Sequence, residues 1–212
     1  MVIDDLLDMG FAAAKVDILE GDSRQKLKEL QAESFDVVVT SPPYLNSFDY
    51  SDVYRPELFA GGFVAANIEL REIRLKTIRS HVQVSWEPSD RQAPSLLIEP
   101  ITRELRKREL WDHRLPLMVE NYFIDLSDIL KRTRRVVRKG AKAWIVISTS
   151  AYAGVEIPVD LILADIAGHV GWAVEEVFVL RNLRASGQHS SKYLKLGASP
   201  PLRESLLVLR RR

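Results

Sequence analysis

The sequence predicts an α/β layer fold with a largely parallel sheet. Two continuous apolar runs, Phe-Asp-Val-Val-Val-Thr at 35–40 and Ala-Trp-Ile-Val-Ile-Ser at 143–148, are typical of buried strands in the middle of such a sheet. Helical patterns separate these runs, as expected when strands and helices alternate in layers. Two further runs, 175–180 and 205–209, have no helix between them and predict an antiparallel pair at one sheet edge.

The N-terminal part is predicted to hold the first half of this pattern. Residues 2–14 fit a short amphipathic helix, and the alternating residues 15–19 fit a strand that ends at Gly21-Asp22. Residues 23–30 then fit a helix that leads into the apolar strand at 35–40. Ser41-Pro42-Pro43-Tyr44 follows at once, and its two prolines must end the strand because they lack backbone N–H donors.

The rest of the chain divides into a basic insertion, 55–115, and the second part of a core made of 1–54 and 116–212. In the insertion, residues 68–81 read as a basic amphipathic helix and the proline-bearing segment 83–100 as a loop. Pro158 opens a helix at 159–169, which Gly171 stops. The remaining predictions are helices at 101–110 and 119–137 and an exposed loop at 182–201.

Composition excludes several classes of mechanism. The 212 residues carry 30 basic and 29 acidic side chains, a net charge of +1, so any contact with a polyanion must come from a local patch. No cysteine is present, which excludes disulfides, thiolate metal sites and a cysteine nucleophile. The four histidines lack the spacing of a metal site, and no apolar run suits a membrane span. We expect no metal, no membrane and a cytoplasmic location.

The tetrapeptide Ser41-Pro42-Pro43-Tyr44 is the most specific chemical signal. In open α/β sheets ligands bind beyond the carboxyl ends of the strands, where this rigid turn is predicted to lie. An exocyclic base amine is a poor nucleophile, because its lone pair is delocalised into the ring. If the serine oxygen and the turn carbonyls accept its hydrogens, the nitrogen can attack an electrophilic methyl group. Tyr44 can stack on the base, a contact worth roughly 1–3 kcal/mol.

These residues resemble the DNA amino-methyltransferase family, whose catalytic motif is (Asp, Asn or Ser)-Pro-Pro-(Tyr or Phe) at the end of a sheet strand. The similarity covers about 15–210 and includes the Gly-Asp at 21–22, the arginine-rich stretch, Arg135–Gly140 and the ending Leu202–Leu209. It implies a Rossmann-like methyltransferase fold acting on a base flipped from DNA. A serine in first place favours cytosine N4 over adenine N6. The absence of cysteine separately excludes methylation at cytosine C5.

The resemblance also implies the binding residues. S-adenosylmethionine would lie against Asp22, Ser23 and Ser41, and Asp22 has an equally good alternative role as a helix N-cap. Cations at Arg71, Arg74, Lys76 and Arg79 would track DNA phosphates, the alternative being a solvated helix face.

One family feature is missing from the sequence. The glycine-rich donor loop, Asp-Pro-Phe-x-Gly-x-Gly-Thr-Thr, has no counterpart here. In the family this loop follows the first central strand of the sheet. That strand and the next one would lie between two strands of this chain, namely the strand that ends at Gly21 and the strand that ends at Thr40. Unpaired buried strand edges are costly. We therefore expect either a second methyltransferase subunit that carries the loop or a truncated chain.

Two other functions stay open at this point. The chain could be a catalytically inactive subunit that keeps the fold for binding DNA or a partner protein. It could also methylate a base in RNA, since related enzymes act on guanine N2 with an Asp-Pro-Pro-Tyr type of motif.

Overall fold

The structure is a computed structural model and describes residues 16–183 and 202–212. The described strands are β1 (Phe35–Thr40), β2 (Val137–Ser148), β3 (Ser150–Tyr152), β4 (Val155–Ile157), β5 (Trp172–Leu183) and β6 (Leu202–Arg211). The described helices are α1 (Ser23–Glu29), α2 (Tyr50–Val53), α3 (Arg55–Ala60), α4 (Asn67–Lys76), α5 (Ile98–Arg106), α6 (Leu115–Val136) and α7 (Val159–His169). No helix within these residues is both long and apolar enough to cross a membrane.

The main sheet has the strand order β1-β2-β6-β5. β1 runs parallel to β2, with Val39 opposite Trp144, and β6 pairs antiparallel with both β2 and β5. The α/β class and the antiparallel pair at one edge are therefore confirmed. The prediction of a mostly parallel sheet is wrong for the described strands, because β6 inserts between β2 and β5 and makes two of the three pairings antiparallel.

The two faces of this sheet have different surroundings. On one face Ala143, Ile147, Leu207 and Leu209 are fully buried in the hydrophobic core, which α6 and α7 complete. Paired residues share a face, so Val39 lies beside Trp144 on the other side of the sheet. We call that side the uncovered face, because Val37, Val39, Trp144 and Phe178 stay 49%, 69%, 43% and 48% exposed. Helices thus cover one face of the sheet, and β1 forms one of its edges.

Several element boundaries differ from those predicted. Residues 16–20 form no strand, and Val16 and Ile18 are 76% and 88% exposed, because no strand among the described residues pairs with them. The basic helix is shorter than predicted, since Thr77 turns extended after Lys76. Helix α5 begins three residues early and α6 begins at Leu115, with Pro116 in its first turn. The predicted helix 2–14 and most of the predicted loop 182–201 lie outside the described residues.

Buried ion pairs join the first helix to the rest of the core. The Asp125 carboxylate on α6 lies 2.8 Å from both an Arg24 nitrogen and an Arg79 nitrogen. Its side chain is 4% exposed and those of the two arginines 17% and 16%. Removing one member would leave charge poorly solvated, so this cluster holds α1 and the end of the basic stretch against α6.

Candidate active site

The predicted catalytic turn lies at the carboxyl end of β1. Ser41 is exposed, while Pro42, Pro43 and Tyr44 are half-buried and Leu45 is fully buried. The prolines end the strand, and the buried leucine anchors the chain where it leaves the sheet. The turn therefore presents its first residues to the surface from a fixed base.

Hydrogen bonds occupy the carbonyl groups in the second half of the turn. The Tyr122 hydroxyl donates to the Pro43 carbonyl at 2.8 Å, and the Tyr152 hydroxyl donates to the Leu45 carbonyl at 3.0 Å. Burial raises the pKa of both phenols, so they remain neutral donors at ordinary pH. The Tyr44 carbonyl accepts from the Asn46 N–H at 2.9 Å. The Pro42 carbonyl has no such partner among the described residues, which leaves it available as an acceptor.

Tyr44 is held at its hydroxyl end by an ion pair on neighbouring strands. Its hydroxyl donates to Glu204 Oε1 at 2.7 Å, and Glu204 Oε2 lies 2.8 Å from Arg181 Nε. Burial is the main cause that raises the pKa of Tyr44, the Glu204 contact raises it further, and a side-chain hydrogen bond with Ser41 lowers it. The Arg181 and Tyr44 contacts lower the pKa of Glu204, which therefore stays a carboxylate.

A cavity of about 460 Å³ opens beside the turn. Residues from α1, β1, the turn and α6 line it, and its walls are largely apolar, with Leu27, Val38, Leu126 and Leu130 among them. Ser23 and Ser41 lie on its wall, so the structure brings together two of the three residues predicted to bind the donor. The turn thus faces a cleft and is not buried inside the core.

The third predicted donor residue, Asp22, caps α1. Its carboxylate accepts from the Arg24 N–H at 2.8 Å and from Arg24 Nε at 3.0 Å, which confirms the N-cap reading. Because these contacts occupy its carboxylate, and because the sequence has no glycine-rich donor loop, the described residues do not by themselves form a complete site for S-adenosylmethionine.

The four predicted phosphate contacts separate into two pairs. Arg74 lies 2.6 Å from Asp49 and 3.0 Å from Asp52, and Arg79 is bidentate on Asp125. Both arginines are therefore committed to internal ion pairs. Arg71 and Lys76 are exposed, and phosphate contact stays a prediction for these two residues.

Sequence reasoning missed three residues that shape the turn. Tyr122, Tyr152 and Glu204 lie 79, 107 and 160 residues from their partners in the turn. Nothing in the local pattern of Tyr122 or Tyr152 marks them. Glu204 had one signal, since it lies in the C-terminal segment that resembles the family.

Comparisons with known proteins bear on the identity of the chain. No family model matches. The Type II methyltransferase M.AvaI of Nostoc sp. is 27% identical in an alignment 210 residues long, which covers 92% of this chain and 44% of that relative. The Type II methyltransferase M.BsoBI of Geobacillus stearothermophilus is 28% identical, over 91% of this chain and 41% of the relative. The chain therefore spans less than half the length of the curated relatives it matches.

A solved structure is also similar to this chain. It is TTHA0409 of Thermus thermophilus, assigned as a DNA modification methylase and solved with S-adenosyl-L-methionine. The match has a TM-score of 0.45 and 13% identity over 90% of this chain and 53% of that one. The resemblance to the DNA amino-methyltransferase family that the Ser-Pro-Pro-Tyr motif predicts is confirmed by the sequence relatives, which extend over nine-tenths of this chain.

Proposed function

We propose that this chain is the target-base half of an S-adenosylmethionine-dependent DNA methyltransferase that acts on an exocyclic amine. The observation that carries the proposal is the proline corner at 41–44, whose first residue is exposed at a strand tip beside a cavity of about 460 Å³. A second polypeptide completes the donor site. The cofactor supplies an electrophilic methyl group when bound, and the residues of this chain hold its acceptor.

Two oxygens at the corner suit the hydrogens of an amino group. The Pro42 carbonyl has no partner among the described residues, and the Ser41 hydroxyl lies at the surface. Accepting both N–H bonds favours a pyramidal nitrogen, and these bonds strengthen as positive charge develops on it. The neighbouring Pro43 carbonyl is held by Tyr122, so the corner keeps its shape while the amine reacts.

The ring of Tyr44 is the stacking partner in this proposal. A base must leave the duplex before its amine reaches the corner, and stacking on an aromatic ring offsets part of the lost base stacking. Serine at position 41 favours cytosine N4 over adenine N6. The exposed cations Arg71 and Lys76, in the insertion that follows the corner, would contact phosphates of the flanking DNA.

The need for a second polypeptide is supported by the uncovered face. Parallel strands are normally buried on both faces, yet Val37 and Val39 of β1 are 49% and 69% exposed. Val16 and Ile18, which precede α1, are more exposed still. Strands added along the open edge of β1 and helices laid over the uncovered face would bury all four side chains. The relatives, more than twice as long as the matched region, have the length for such a half.

The test is to co-express the chain with the donor polypeptide, meaning the product of a neighbouring reading frame with an apolar strand and a glycine-rich loop. We expect the pair to transfer methyl groups to DNA, and neither polypeptide to do so alone. Tyr44→Ala should lower the transfer rate by about tenfold or more, because a stacking contact is lost. Leu161→Ala is the control, since it truncates a side chain that is 49% exposed on α7, on the covered side of the sheet and away from the proposed partner.

The nucleosides recovered from the methylated DNA identify the target. N4-methylcytosine is the expected product, and N6-methyladenine would keep the function but change the base. A pair that binds DNA without methylating it would mean an inactive subunit. Methyl transfer to RNA in preference to DNA would mean that the pair uses the same chemistry on RNA.

A further inference from the structure

We propose that Arg132 and Lys28 bind a backbone phosphate of the DNA, in a polar pocket on the other side of α1 from the candidate active site. This inference rests on the proposed function for the identity of the polymer. The pocket has a volume of about 390 Å³ and lies between α1, α6 and the segment that follows α4. Charged and polar side chains line it, whereas the walls of the cavity beside the corner are largely apolar. The two hollows therefore suit different parts of a substrate.

The pocket and the cavity lie on opposite faces of α1. Ser23 and Leu27 line the cavity, while Gln25 and Lys28 line the pocket. At 3.6 residues per turn these two pairs point to opposite sides of the helix. An α-helix with its side chains is about 10–12 Å wide, a length that one strand of B-form DNA covers in about three nucleotides. A phosphate in the pocket can therefore belong to the strand whose base reaches the corner.

The charges on the pocket wall leave an excess of two cations. The wall carries three carboxylates, those of Asp22, Asp125 and Asp128, and five cationic side chains, those of Arg24, Lys28, Arg79, Arg91 and Arg132. Arg24, Arg79 and Arg91 each pair with at least one of these carboxylates. Lys28 and Arg132 have no carboxylate partner among the described residues. Because the whole chain has a net charge of only +1, this pocket is a local concentration of positive charge.

Arg132 carries a hydrogen-bond donor that the described chain does not satisfy. Its Nε is buried and has no hydrogen-bond partner among the described residues. Such a group costs free energy, because it has lost its contact with water and gained no acceptor. Lys28 adds further donors, since its Nζ gives one hydrogen to Gln25 Oε1 at 2.7 Å and keeps two more. The pocket therefore offers donors and positive charge, and it lacks a negatively charged acceptor.

A phosphodiester has the chemistry that this pocket lacks. It carries one negative charge and two unesterified oxygens, and a guanidinium can bind both oxygens at once. The surroundings favour a polymer over a free ion. Arg24 Nη2 donates to the Lys76 carbonyl at 3.0 Å, which joins the pocket to the end of α4, where Arg71 and Lys76 are exposed. Cations in succession along a surface are typical of contact with a nucleic-acid backbone.

The first test measures DNA binding by the chain alone and by the pair of polypeptides, from the fluorescence anisotropy of a labelled duplex in a series of salt concentrations. Arg132→Gln should lower the affinity about fivefold to tenfold at low salt. It should also reduce the slope of log affinity against log salt by about one, because one phosphate contact is lost. Lys28→Gln should act in the same direction, and Arg132→Lys, which keeps the charge, should recover part of the affinity.

Lys131→Gln is the matched control for this test. It removes the same charge from the next residue of α6, which is exposed and does not line the pocket. We expect it to lower the affinity for DNA by less than about twofold. Urea denaturation checks the fold of each variant. Arg132→Gln should not lower the free energy of unfolding, since Arg132 pairs with no carboxylate of the described chain.

The second test asks whether the ligand is the DNA backbone or a free ion. Inorganic phosphate is titrated into the whole chain labelled with nitrogen-15, and NMR follows the Arg132 Nε–H signal, which the Arg132→Gln variant assigns. We expect this signal to shift on addition of phosphate, and to shift at a much lower concentration of duplex DNA. A signal that responds to phosphate but not to DNA would overturn the assignment to the DNA backbone.

The possible outcomes separate this site from the proposed function. Equal DNA affinities for the wild type, Arg132→Gln and Lys28→Gln would overturn the site, even if the pair methylates DNA. Equal losses from Arg132→Gln and Lys131→Gln would also overturn it, because the effect would then be one of overall charge. A pair whose DNA affinity depends on Arg132 but which transfers no methyl group would support the site and overturn the proposed function.

Discussion

The two faces of the sheet have opposite characters, although the same four strands form both. On the covered face Ala143, Ile147, Leu207 and Leu209 have no exposed side-chain surface. On the uncovered face Val37, Val39, Trp144 and Phe178 are 43–69% exposed. Both sets are apolar, so their exposure does not follow from residue type. It follows from the position of α6 and α7 on one side only.

This difference indicates that the two faces of the sheet have different roles. The covered face supplies a core that can fold and hold the corner at 41–44 in place. The uncovered face and the open edge of β1 carry apolar side chains that stay 43–69% exposed among the described residues, which is typical of surfaces that meet a partner. Under the proposed function, stability and completion of the site therefore depend on opposite sides of one sheet.

The largest expected effect comes from truncating one apolar residue on each face of the sheet. Leu209→Ala should lower the free energy of unfolding by about 2–5 kcal/mol, because it leaves a cavity in the core. Val39→Ala should change it by less than about 0.5 kcal/mol in the chain alone, because the side chain is already in water. Urea denaturation measures both. Equal losses at the two positions would contradict the difference between the faces.

The next effect tests the ion pairs that hold α1 on the covered side. Asp125→Asn should lower the free energy of unfolding by about 2 kcal/mol, since Arg24 and Arg79 lose a shared, buried carboxylate. Asp128→Asn on the same helix is the control, because its partner Arg91 is 61% exposed and such pairs contribute less than about 1 kcal/mol. Equal effects in urea denaturation would show that the cluster has no special role.

A smaller effect is expected when a charge is placed at an edge of the sheet. Val39→Lys should weaken binding of the donor polypeptide by tenfold or more, about 1.4 kcal/mol, and leave the stability of the chain itself nearly unchanged. Val179→Lys on β5 is the control, because this residue is 56% exposed at the opposite edge. Binding is measured by calorimetry. Similar losses from both substitutions would place the partner elsewhere or on both edges.

The smallest effect is a dependence on pH at the corner. Arg181 and Tyr44 lower the pKa of Glu204 in the folded chain, so its contribution to stability is present above the ordinary carboxyl range. This contribution is lost as the pH falls through the lowered pKa. The stability difference between wild type and Glu204→Gln should therefore be constant from pH 6 to 8 and shrink in acid. A stability difference that grew as the pH fell would contradict this prediction.

Local patterns predicted the parts of the fold that depend on local chemistry. The strand at 35–40 and the helix at 159–169 occur at the predicted residues, because a β-branched apolar run and a proline start are strong short-range signals. The corner at 41–44 was predicted for the same reason, since prolines end a strand whatever surrounds it. The corner also lies beside a cavity, as its proposed role requires.

Other features depend on residues far apart in the sequence and could not be predicted from it. Residues 15–19 do alternate between polar and apolar side chains. A strand forms only when it pairs with another strand, however, and residues 16–20 have no such partner in the described chain. Arg74 and Arg79 were predicted to contact phosphates, yet Asp49 and Asp125 hold them internally. Glu204 meets Tyr44 only because the register of β6 against β2 places it there.

The most direct test of the central claim is hydrogen exchange at β1 in the chain alone and in the pair. Amides that point toward the open edge of β1 should exchange quickly in the chain and become strongly protected when the donor polypeptide binds. Amides of β6, which lies between two strands, should be protected in both states. Fast exchange at the β1 edge in a pair that actively methylates DNA would contradict the claim that a second polypeptide completes this sheet.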